Sequence, residues 1–307
     1  MSALKLFFVA GLASASKIPT VEVSDGVFLP MITMGGDGDW GASNYSLWLE
    51  LGGRGFDTAW EYQTSRAIRD AVLSSGVPRS DIFITHKIPG SLGFNCTDPK
   101  CATFPELPPV TGHYTQDMAR RYLADNLQRL GSEIGYIDLL LLHTPCNYGG
   151  KGPHNQGECA AIYEVMEEAV RNGTARSIGV SNFETADLEA LLQTAKIKPV
   201  VNQCHAAVGQ LDTDTLAFGK KHNITYQAWS PLHADCLHDP KVETIATAHN
   251  VSVYEVAMRW LVQHGVPLVT SANTSAYINS DLSIFSFNLA AQEMATLDSM
   301  KCGFSSS

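Results

Sequence analysis

Three short apolar runs in this chain each end in a side chain that can ionise. Gly55-Phe56-Asp57 ends in a carboxylate, and the phenol of Tyr62 follows five residues later. Ile82-Phe83-Ile84-Thr85-His86-Lys87 ends in an ammonium, and Leu139-Leu140-Leu141-Leu142-His143 in an imidazole. Together these four groups could transfer a proton. A phenol, with an ordinary pKa of about 10, is a weak acid at neutral pH, and an adjacent ammonium stabilises its conjugate base. A carboxylate can hold that ammonium, and an imidazole can orient a reacting oxygen. Each residue also has a plainer reading: Asp57 as a turn residue, Lys87 as a strand-end gatekeeper, His143 as a satisfied core histidine. Parallel strands whose C-terminal ends meet at one rim would bring all four together.

The elements needed for such a rim can be read along the chain. Val21 to Val23 and Val27 to Leu29, joined by Asp25-Gly26, read as a small hairpin. Strand-like runs follow near Met31 to Met34, Gly55 to Asp57, Ile82 to Lys87, Ile137 to His143, Ser177 to Ser181, Val200 to Cys204, Thr225 to Ser230 and Val266 to Thr270. Helical periods separate them, such as Met118, Tyr122, Leu123, Leu127 and Leu130 before Gly131, and Ile162, Val165, Met166, Ala169 and Val170 before Gly173. Eight strands alternating with helices predict an α/β fold, a (β/α)8 TIM barrel forming a single domain with an N-terminal hairpin. The chain lacks the Gly-x-Gly-x-x-Gly turn of a Rossmann domain.

The chain has 307 residues, 45% hydrophobic and 17% charged, enough for one large core. Its formal net charge of -10 and the absence of a basic run argue against nucleic acid as a partner. Residues 1–16 read as a secretory signal peptide: Lys5, the apolar run Leu6 to Leu12, then Ala13-Ser14-Ala15-Ser16. That run is too short to span a bilayer, so no membrane span is expected after processing, and residues 17–307 form the barrel. Six of the thirteen asparagines begin glycosylation sequons, at Asn44, Asn95, Asn172, Asn223, Asn250 and Asn273, and the expected localisation is the secretory pathway or outside the cell. Of seven cysteines, Cys96 with Cys101 and Cys146 with Cys159 are spaced to close short surface loops, with connectivity left open. Cys204 is the candidate for an unpaired, buried thiol. No Cys/His spacing resembles a zinc site, and no metal is expected.

Phe56-Asp57-Thr58-Ala59 with Tyr62, Ile84-Thr85-His86-Lys87, the run Tyr136 to Pro145, Met166-Glu167-Glu168 and the run Arg176 to Phe183 together resemble the aldo-keto reductase superfamily, in family order from about Val21 to Asp298. The resemblance implies a reductase converting aldehydes or ketones to alcohols with hydride from NADP(H) or NAD(H). It also implies a catalytic tetrad of Asp57, Tyr62, Lys87 and His143, with Tyr62 the proton donor. By the same resemblance Ser181, Asn182 and Gln203 fall where the family binds the nicotinamide carboxamide. Trp229 stands where it usually stacks a tyrosine on the ring, and Ser230 begins the loop holding the pyrophosphate.

The adenosine side departs from the family pattern of Ile-Pro-Lys-Ser followed by an Arg and an Asn. Here Ser271 replaces the lysine, Tyr277 the arginine and Asp281 the asparagine. Without those cations a 2′-phosphate loses its charge-assisted contacts, and the Asp281 carboxylate is expected to repel it or to accept a hydrogen bond from the free ribose hydroxyl of NAD. The loop from Gly90 to His113 is expected to overhang the mouth in place of the family's tryptophan-containing loop, with Phe94 and Phe104 lining the pocket or, equally, in a surface Ω-loop pinned by a disulfide. The expected partner is a small-molecule carbonyl substrate, and a monomer is expected. The competing reading is a secreted non-catalytic barrel that binds a small molecule or partner.

Overall fold

The computed structural model describes residues 18–36, 42–90, 115–146 and 156–305. Among these lie the strands β1 (Thr20–Ser24), β2 (Val27–Pro30), β3 (Ile32–Gly35), β4 (Gly55–Asp57), β5 (Phe83–Ile88), β6 (Ile137–Leu142), β7 (Ala175–Ser181), β8 (Val201–His205), β9 (Thr225–Trp229) and β10 (Leu268–Thr270). The helices are α1 (Ala42–Glu50), α2 (Ser65–Ser75), α3 (Gln116–Leu130), α4 (Gln156–Arg171), α5 (Thr185–Thr194), α6 (Thr213–His222), α7 (Pro240–His249), α8 (Val253–Gln263), α9 (Ser275–Ser283) and α10 (Ala291–Asp298). Eight parallel strands close in the order β10, β3, β4, β5, β6, β7, β8, β9, the expected (β/α)8 barrel.

A strand covered by helices outside and by side chains inside is apolar on both faces, which is why these strands read as runs rather than alternations. All six residues of β6, Ile-Asp-Leu-Leu-Leu-Leu, are buried. Its one charged member, Asp138, accepts from Arg79 Nη2 at 2.7 Å and from the Ile84 backbone N–H at 2.9 Å. Burial still pushes its carboxyl upward, with Arg79 acting against that shift.

The hairpin pairs Val21 with Leu29 in antiparallel register, turning through Gly26 at φ 67, a left-handed conformation that glycine adopts without strain. Val27 and Leu29 share a buried cluster with Phe83 and Val201, the first residues of β5 and β8, and with Leu139 and Leu141 of β6. The hairpin therefore stoppers the N-terminal end of the barrel and leaves the C-terminal rim open for chemistry.

The helical stripe read from the sequence is α3, capped by Thr115 and ended at Gly131 with φ 78. Among the described residues there are two disulfides, one tying the segment after β6 to α4 and one tying the segment after β9 to the C-terminal residues. Cys146–Cys159 has the pairing expected from its spacing, and Cys236–Cys302 spans 66 residues of sequence. By loop-closure entropy these correspond to about 3 and about 4 kcal/mol of stabilisation. Cys204 is in no disulfide; the residue as a whole is partly exposed, and burial pushes its thiol up to about 12. Cys96, Cys101, Phe94, Phe104 and most of the Gly90 to His113 loop lie outside the described residues, as does the leader-like stretch. Among the described residues no helix is long and apolar enough to cross a membrane.

Candidate active site

Five of the eight parallel strands supply a side chain at or next to their C-terminal ends, and β8 supplies one from its middle. Asp57 is the last residue of β4, Lys87 the next to last of β5, and His143 follows β6 directly. Ser181 ends β7 and Trp229 ends β9, with Gln203 in the middle of β8. These ends surround a cavity of about 480 Å³. Asp57, Tyr62, His143, Ser181, Asn182 and Gln203 line it together with Trp229, Ser230, His233 and Ser271.

Tyr62 reaches this rim from a short 3-10 turn, Trp60–Tyr62, that follows β4. The turn is anchored from outside by Trp60, whose indole N–H donates to Asp125 Oδ2 at 2.8 Å and whose ring packs edge-on against Tyr122 at 4.6 Å. Gln63 then adopts φ 63, which sharply redirects the chain into α2. The Tyr62 hydroxyl lies 3.2 Å from His143 Nε2. Lys87 Nζ sits 5.1 Å from the centroid of the Tyr62 ring and is ion-paired with Asp57 Oδ1. Both members of that pair are almost wholly buried. An isolated ion there would be very expensive, so the pair is held as a unit. The second Asp57 oxygen accepts from Gln203 Nε2 at 2.6 Å, and that amide also donates to Gln227 Oε1 at 3.0 Å. The four residues read from the sequence are thus brought together, with buried amides behind them.

The adjoining wall is a second connected network. Ser181 Oγ donates to the Gln203 carbonyl at 2.7 Å, and Asn182 Nδ2 donates to the His143 carbonyl at 3.0 Å and to Ser181 Oγ at 3.1 Å. Asn182 turns at φ 61 and Ser230 at φ 50, two left-handed residues that directly follow β7 and β9. Trp229 Nε1 donates to Asn182 Oδ1 at 2.9 Å, so the indole holds the amide while its face borders the cavity. Flat aromatic surface beside amide and hydroxyl groups suits a nicotinamide ring and its carboxamide.

The opposite end of the cavity is different. Ser271 lines it and is exposed, Tyr277 is 62% exposed on α9, and no Lys or Arg is among the described residues lining the cavity. Asp281 departs from the expectation that it faces a ribose or phosphate. It is buried on the inner face of α9, three residues after the buried Ile278, and accepts from Thr270 Oγ1 at 2.8 Å. Burial pushes its carboxyl up to about 7, against the opposing Thr270 hydrogen bond.

Two residues missed in the sequence complete the site. Gln227, in β9, supports Gln203 and carried no signal, because a lone glutamine in an apolar run has no distinctive spacing. Glu61, next to Tyr62, places Oε2 3.2 Å from His143 Nδ1. Its direction depends on the 3-10 turn, which residue spacing does not reveal.

The family model described as "Aldo/keto reductase family" matches residues 44–301. An aldo-keto reductase of Mycolicibacterium smegmatis is 33% identical over 296 residues, covering 94% of this chain and 93% of that protein. A glyoxal reductase of Bacillus subtilis is 30% identical over 287 residues, covering 92% of each. Among solved structures, an aldo/keto reductase from Brucella melitensis superposes with a TM-score of 0.75 at 28% identity, covering 92% of this chain and 98% of that one. A Bombyx mori aldo-keto reductase solved with NADP has a TM-score of 0.76 at 22% identity, covering 92% and 93%, a likeness of fold.

Proposed function

The chain belongs to the aldo/keto reductase family, and from that premise we propose that it reduces a small aldehyde or ketone to an alcohol, with Tyr62 giving the proton. The observation that carries this reading is the 3.2 Å approach of the Tyr62 hydroxyl to His143 Nε2 at the cavity wall, with the buried Lys87–Asp57 pair beside the ring. The nicotinamide dinucleotide supplies the hydride when bound. Ser181, Asn182, Gln203 and Trp229 would hold its nicotinamide end, and Ser230 with the following loop its pyrophosphate. Lys87 stabilises negative charge left on the phenol oxygen as the proton departs, and Asp57 keeps Lys87 in place. His143 aligns the carbonyl oxygen with the Tyr62 hydroxyl. The B. subtilis relative named for glyoxal supports a small aldehyde as the first substrate to try.

Tyr62→Phe keeps the ring and removes only the donor. Its kcat should fall by ~10²- to 10⁴-fold while dinucleotide affinity stays within about twofold. Equal turnover of the variant and the parent with glyoxal or another small aldehyde would refute the assignment.

On cofactor choice, the lack of a described Lys or Arg along the cavity supports NAD(H) at least as well as NADP(H). On compartment, we propose passage through the secretory route. Two disulfides fit an oxidising environment, and the sequon asparagines Asn172, Asn223, Asn250 and Asn273 are all exposed. Expressed in a eukaryotic secretory host, the chain should lose mass on treatment with an N-glycosidase, and an unchanged mass with Met1 intact would overturn that reading.

A further inference from the structure

The family resemblance assigns His143 a role but gives the residue before Tyr62 none. Glu61 is nonetheless nearly enclosed, its side chain 13% exposed, and among the described residues neither carboxylate oxygen accepts a well-aligned hydrogen bond. A buried carboxylate without a partner is strongly disfavoured, so the group that approaches it matters. That group is the His143 ring: Nδ1 lies 3.2 Å from Glu61 Oε2, and on the other side of the same ring Nε2 lies 3.2 Å from the Tyr62 hydroxyl. Consecutive residues of one 3-10 turn therefore flank the two nitrogens of one imidazole. Tyr122 of α3, whose ring packs on Trp60, feels the Glu61 charge. Its hydroxyl is pushed up to about 12, by burial first and by the Glu61 charge second.

We propose that Glu61 is a positioning residue for the reduction: its carboxylate keeps a proton on His143 Nδ1, so that Nε2 is the ring atom whose proton changes during turnover. A carboxylate beside one ring nitrogen fixes the tautomer by accepting from that nitrogen. The proton balance then closes on these side chains. The Tyr62 O–H bond breaks as the product O–H bond forms. An Nε2–H proton returns to the Tyr62 oxygen, and Nε2 is reprotonated from solvent. Nδ1–H stays against Glu61 throughout. Before that transfer the ring carries a proton on each nitrogen, so that Nε2–H can face both the Tyr62 oxygen and the carbonyl oxygen; the neutral ring left after it keeps its proton on Nδ1 and takes the new one at Nε2. The inference rests on the roles given above to Tyr62 and His143.

The test uses Glu61→Leu and Glu61→Gln in the full chain, since Gln retains an acceptor for Nδ1–H and Leu does not. In Glu61→Leu, kcat should fall by ~10-fold or more with KM within about twofold, as expected for loss of an orienting group rather than of binding. Glu61→Gln should recover most of that rate. Independently of turnover, 15N spectra of histidine-labelled protein, with the His143 signals assigned by loss in His143→Asn, should show the proton on Nδ1 in the parent and in Glu61→Gln, and a mixture of tautomers in Glu61→Leu. An unchanged tautomer and rate in Glu61→Leu would overturn the proposal, as would Glu61→Gln behaving like Glu61→Leu. A parent without reductase activity would refute the proposed function, and the spectra would still decide the role of Glu61.

Discussion

The two ends of one cavity are built on different principles. At the end bearing Tyr62, side chains from β4, β5, β7, β8 and β9 are locked to one another: Lys87 to Asp57, Asp57 to Gln203, Gln203 to Gln227, Trp229 to Asn182 and Asn182 to Ser181. At the other end Ser271 and Tyr277 stand in solvent, and the carboxylate aligned with them, Asp281, has turned into the protein. A group that must place a proton within hydrogen-bond distance needs a rigid, dry support, whereas a cofactor tail can be held by many weak contacts and can lose some of them. The contrast is one of support: Asp57, Tyr62, Lys87 and His143 are gathered at the first end, and Ser271 and Tyr277 stand exposed at the second.

The contrast breaks most visibly if the buried pair is disturbed. Lys87→Met leaves Asp57 as an uncompensated buried charge, so it should lower stability by about 3 to 5 kcal/mol and the reduction rate by at least ~10²-fold. Adding Asp57→Asn should recover most of the stability and none of the rate, as read by urea unfolding alongside turnover. Recovery of the rate in the double variant would mean that the pair serves folding alone.

A smaller effect sharpens the other half of the comparison. The Asp281 carboxyl sits near 7 in the folded protein against an ordinary value near 4, so it binds its proton more tightly folded than unfolded. Its stabilising contribution is therefore complete in acid and is lost as pH rises from about 4 to about 7. Asp281→Asn should gain on the order of 2 to 4 kcal/mol at pH 8 and little at pH 4. A gain independent of pH, measured by denaturant unfolding at both values, would mean that Asp281 is not desolvated as described.

Much of this was legible in the sequence for a physical reason: a parallel strand buried on both faces tolerates a charge only at its end, so Asp57, Lys87 and His143 announced both the strands and the rim. Trp229 was legible as an aromatic face, but not its hydrogen bond to Asn182, which needs the indole N–H specifically. Asp281 was assigned to the cofactor by alignment, although its spacing of three from Ile278 on α9 already placed it on the inner face of that helix. Cys236–Cys302 had no signal, because cysteines 66 residues apart are joined only by the closure of the barrel. Glu61 had none either, because in a single 3-10 turn the direction of a side chain follows from how the turn is anchored, here by Trp60 to Asp125.

The most direct measurement is a titration of the parent and of Ser271→Lys/Tyr277→Arg with NADH and with NADPH, followed by cofactor fluorescence. The parent should bind NADH at least as tightly as NADPH. The double variant should gain about tenfold or more for NADPH and almost nothing for NADH, since a charge-assisted contact contributes about 1.5 to 3 kcal/mol and ~1.4 kcal/mol is a factor of ten. A parent that already prefers NADPH by ~100-fold or more, equivalent to about 2.7 kcal/mol, would contradict it, because the 2′-phosphate would then be held by cations other than those at positions 271 and 277.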